Sequence, residues 1–135
     1  MPGDTATEIL VVSGTLSLVY TCLLGIAMGQ VRMNAPQTPR HLVTTHIDGL
    51  IVGAIHLSLT VAIAFSPLPS WLETLAAIML AAGAALSLSG GTLNWLSGVG
   101  DQFAAKNPGF ILQALSGPIT VIAMLILLAG VLQGL

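Results

Sequence analysis

The sequence predicts an all-α integral membrane protein, an up-down bundle of four transmembrane helices, and three observations predict it. Hydrophobic residues make up 55% of the 135 residues and charged residues 6%, where a soluble domain carries about 25% charged. Four apolar runs, roughly Ile9–Met28, Leu42–Phe65, Leu72–Leu96 and Phe110–Leu132, each reach the ~20 residues that cross a bilayer core. None has the alternation of an outer-membrane barrel strand; Ile122–Ala129 reads IAMLILLA. Three basic and five acidic residues cannot coat a water-facing surface. That excludes a soluble enzyme, a disordered chain and a nucleic-acid binder, which needs a basic stripe. The length predicts one transmembrane domain over residues 1–135. Cys22, the single cysteine, supplies neither an intrachain disulfide nor a CxxC metal spacing.

The first run follows Asp4 and Glu8 and lacks a basic leader and a small-residue cleavage site, so it is expected to be retained as a helix. Before the second, Thr38-Pro39 has the pattern of an N-cap oxygen followed by proline at the first helical position. Ser66-Pro67-Leu68-Pro69 makes a turn, and Ser70-x-x-Glu73 after it has capping-box spacing for the third run. Asn107-Pro108 repeats the cap-proline signal before the fourth. Glycines at 25, 49, 53, 83, 90 and 91 suit close helix contacts. Arg32 and Arg40 in the first loop and Lys106 in the third share one side, opposite Asp4, Glu8 and Glu73. The positive-inside rule then places the first and third loops in the cytoplasm of a multi-pass inner (cytoplasmic) membrane protein.

Polar residues at membrane depth carry the functional signal, because a central Asp or Arg costs about 2.5–3.5 kcal/mol. Most lie in residues 38–56, TPRHLVTTHIDGLIVGAIH, with His41, His46, His56, Asp48 and Arg40. His46, Gly49 and Gly53 share one helix face. The glycines leave a flat strip beside the imidazole, where a planar macrocycle fits with a ring nitrogen on its metal; alternatively, His46 bonds a neighbouring helix and the glycines pack closely. His41 lies nearer the surface. His56 is rotated about 80° from His46 and is either a second ligand or an interhelical hydrogen-bonder. Asp48 points nearly opposite His46, either pairing with His41 or Arg40 or serving as a proton-relay carboxylate. In the third run, Asn94 needs a partner in a dry bundle and lies toward the same end as His46, so the two are placed to meet at one site. Trp95 is a belt residue or a pocket wall. No GxSxG, HExxH or phosphate loop is present, and the first helix has no carboxylate at its centre.

Several short motifs together resemble the styrene oxide isomerases, small four-helix membrane enzymes that turn aryl epoxides into aldehydes. They are Gly14-x-Leu16, Thr21-x-Leu23-Leu24-Gly25, Thr38-Pro39 seven residues before His46, Gly53 seven after it, Ala64-Phe65, Leu68-Pro69-Ser70, Gly91-x-x-Asn94 and Pro118. The resemblance implies that His46 is the axial ligand of haem b (ferric iron) between subunits of a homotrimer, with Gly49 and Gly53 beside the macrocycle. It implies that Asn94 acts with His46 in catalysis, and that Asn94, Trp95 and Val52 line the substrate pocket. Val52 stands where the family has asparagine, Asp48 where it has glycine, and Gly98 where it has a pocket tyrosine. The expected activity is isomerisation of an apolar, aryl or other, epoxide dissolved in the bilayer to a carbonyl compound. The implied chemistry is Lewis-acid ring opening and a 1,2-hydride shift. Two other classes stay open: a haem-binding electron carrier or sensor with His56 as second ligand, and a small transporter subunit using Asp48.

Overall fold

A computed structural model of the chain describes residues 4–135. They form α1 (Thr5–Asn34), α2 (Arg40–Ala64), α3 (Ser70–Leu96), the short α4 (Gln102–Ala105) and α5 (Pro108–Gly134). All four long helices are apolar and long enough to span a membrane, so the chain is an all-α, multi-pass membrane protein. α3 packs most closely on α5 and α1 on α2, α3 also touches α1 and α2, and α2 and α5 barely meet.

Apolar length dictates these helices, and their ends show where local chemistry departs from expectation. α1 runs past its apolar stretch to Asn34, because nothing in Gln30–Met33 breaks a helix; Pro36 then forbids continuation. Asp4 caps its start, accepting from the Ala6 N–H. Asn107 caps α5 through the Phe110 N–H, with Pro108 at the first position as expected. The other two expected caps are corrected. Pro39 and Pro69 themselves take the cap positions of α2 and α3, and neither helix has a side-chain cap. Glu73 is buried instead of reaching back to Ser70. Within the third loop, Asp101 accepts from the Phe103 and Ala104 N–H groups and starts α4, a turn too short for hydropathy to reveal.

The two ends of the bundle are held differently. Near the α2–α3 turn the core is apolar, with Ala6, Leu10, Ile63, Ala76, Ala77, Leu80, Ala123 and Leu127. Small residues let the backbones close in and bury these leucines. Toward the opposite end the buried side chains include Thr21, Thr45 and Asn94. Glycine makes that polar packing possible: a Cβ at Gly49 would overlap the Thr21 hydroxyl, and one at Gly91 the Thr45 hydroxyl. The candidate site lies at this polar end.

Candidate functional site on α2

α2 carries its polar residues on two sides. His46 faces α1, and its Nδ1 lies 3.0 Å from the Thr21 carbonyl oxygen. A carbonyl only accepts, so Nδ1 carries the hydrogen and Nε2 keeps the lone pair in the neutral ring. Nε2 has no partner among the described residues and is not enclosed. The imidazole is half-buried, with Ile47 and Leu50 of α2 and Ile26 of α1 exposed on the surrounding surface.

Sequence spacing put Gly49 and Gly53 on the His46 face, and they are there; the open strip expected over them is not. α1 fills it. Gly49 lies under Thr21, and a Cβ at Gly53 would meet Leu18 at 2.7 Å and the Gly14 carbonyl at 3.0 Å. Both glycines are buried helix-packing positions. The room beside His46 comes from α1: a Cβ on Gly25 would stand 3.2 Å from His46 Cε1, and Gly29, one turn on, has open space. The Thr21-x-x-x-Gly25 spacing was visible in the sequence; a backbone acceptor opposite His46 was not.

Asn94 is corrected more strongly. It does not meet His46. Its amide nitrogen donates to Gln102 Oε1 at 2.8 Å and Gln113 Oε1 at 3.1 Å, tying α3 to α4 and α5. It is fully buried, and its Oδ1 abuts Gly109 without a hydrogen-bond partner. Both hydrogens of its amide nitrogen are committed to these two glutamines. Val52 is half-buried on the α2–α5 side of the helix, away from α1. Trp95 is half-buried near the end of α3. Asn94 and Val52 therefore face different neighbours, Asn94 the α4–α5 side chains and Val52 the α2–α5 cleft.

His56 is 3% exposed, and its Nδ1 lies 2.7 Å from Ser13 Oγ on α1. It also borders a cleft of about 400 Å³ between α2, α3 and α5, together with Asp48. His46 and His56 thus both bond to α1, at Thr21 and Ser13. The expected Asp48 pairing with Arg40 or His41 is absent: all three border one vestibule of about 410 Å³, yet among the described residues no charged group engages Asp48. His41 Nε2 is buried without a partner. Tyr20, the lone tyrosine, donates to Thr92 Oγ1, whose own hydrogen goes to the Leu88 carbonyl. Two polar features escaped the sequence reading. Ser13 opposite His56 is one. The other is the burial of Glu73, whose Oε1 has no partner among the described residues.

The geometry fits a histidine that would hold a haem iron through Nε2. A histidine that ligates a metal does so through a neutral ring nitrogen and commonly donates its other ring N–H to a backbone carbonyl. Among the described residues no group of three or more His, Cys, Asp or Glu converges into a metal cage, so His46 would serve as a lone protein donor. No family model, curated protein or solved structure matches the chain.

Proposed function

We propose that the chain is a membrane-bound, haem-dependent isomerase that converts an apolar epoxide, aryl or other, to its carbonyl isomer. The observation that carries this reading is the His46–Thr21 hydrogen bond, which leaves Nε2 as a metal-binding lone pair on an outward, apolar surface. His46 would hold haem b, with Gly25 and Gly29 giving the imidazole and macrocycle room. Bound there, ferric haem supplies a Lewis acid for opening the epoxide ring, with no net redox change.

The chain's own contribution is orientation and dryness. The Thr21 carbonyl fixes the ring and raises the basicity of Nε2. Exposed Ile26, Ile47 and Leu50 draw lipid-dissolved substrate toward the site and keep out the water that would divert an opened epoxide to a diol. A second chain seated on this face, as in the trimer the resemblance implies, would complete the enclosure. Arg32, Arg40 and Lys106 support a cytoplasmic position for the first and third loops of an inner-membrane protein. The test is product analysis. Purified, haem-loaded protein given a panel of aryl and alkyl epoxides yields aldehydes, with styrene oxide a weak substrate because Gly98 stands where the family has its pocket tyrosine. Diol alone, or no conversion of any epoxide, overturns the reading.

A second reading, a small transporter subunit using Asp48, draws support from one observation: Asp48 is the residue common to the vestibule and the α2–α5 cleft.

A further inference from the structure

Asp48 lies on the side of α2 turned away from His46, inside a span whose ends are set by Arg40 and Ala64. It is half-buried, and among the described residues no charged group engages it. Arg40 borders the same vestibule without neutralising it. Beyond Asp48 the cleft runs over α3 between α2 and α5, with Ile55 and Val121 as exposed apolar walls and His56 and Ser116 as buried polar groups. Because α2 and α5 barely touch, the cleft opens sideways to the bilayer. Its volume of about 400 Å³ falls in the range of small-molecule sites, about 300–1,000 Å³.

A carboxylate at this depth is costly unless a cation accompanies it. We propose that the α2–α5 cleft is a binding site for lipophilic organic cations, which arrive through the bilayer and place their positive charge beside Asp48. The cation's apolar body displaces lipid between Ile55 and Val121, and its charge supplies the partner that Asp48 lacks. Asp48 borders both the cleft and the polar vestibule of Arg40, His41 and Asp101. A bound cation therefore has one route to the bilayer and one to the loop end of the bundle. A neutral hydrocarbon of the same shape meets the walls but leaves the carboxylate unpaired. The site is independent of haem at His46, since Soret absorbance reads one and cation binding the other.

The experiment uses the full chain in nanodiscs of zwitterionic lipid and radiolabelled tetraphenylphosphonium. Wild type binds it saturably, and Asp48→Asn weakens binding at least tenfold. Glu8→Gln removes an equal charge from the separate groove between α1 and α3 and leaves binding unchanged. Gly117→Phe fills the cleft from a position where an added Cβ meets nothing within 4 Å; it blocks binding in a chain that still folds. Absence of saturable binding in wild type overturns the proposal. So does an Asp48→Asn affinity equal to wild type, an equal loss in Glu8→Gln, or undiminished binding in Gly117→Phe.

Discussion

Two sides of one helix, only two residues apart, have opposite relations to the rest of the chain. On the His46 side α2 is pressed against α1 at Gly49 and Gly53, and the imidazole is pinned by the Thr21 carbonyl. On the Asp48 side α2 stands off from α5, and among the described residues the carboxylate has no charged partner. At about 100° per residue the two side chains point roughly 200° apart, so they cannot share a site. A pinned histidine is prepared to hold something rigid. An unpaired carboxylate in an open cleft is prepared to receive something that comes and goes.

The sharpest way to break this contrast is to add the same side chain to both sides. Gly49→Leu forces a side chain into Thr21 and should lower stability by about 1–3 kcal/mol as an overpacked core does, while Gly117→Leu should leave the melting temperature within 2 °C or raise it. Parallel melts in detergent check this, and an unchanged melt for Gly49→Leu would mean that α1 and α2 are not in contact there. A smaller effect is expected where the two sides communicate through His56. Ser13→Ala removes its hydrogen bond and should cost about 0.5–1.5 kcal/mol without changing haem content. A loss of haem in that variant would show that His56, not His46, is the ligand.

Apolar length and the Asn107-Pro108 cap made the four spans and one helix start legible in the sequence, since both signals are local. The close packing of Gly49 and Gly53 was legible as a face but not as an interface, because one helix's periodicity does not name the helix that will cover it. Asn94 shows the same limit. Its need for a partner follows from burial in a dry bundle, whereas the identity of that partner depends on α4, a four-residue turn that swings Gln102 back over the end of α3. Thr21 was least accessible, since it holds His46 through a carbonyl that every residue possesses. Asp48 was conspicuous as a charge in a span, and only the packing of α2 against α5 determines that no neighbour answers it.

Absorption spectroscopy of purified protein, expressed with adequate haem, tests the central claim most directly. Wild type and His41→Ala should show a Soret band of equal intensity per chain, and His46→Ala should lose at least nine-tenths of it. A wild-type spectrum without a Soret band, or one that His46→Ala leaves intact, would contradict the assignment of the Thr21-anchored imidazole as a haem ligand.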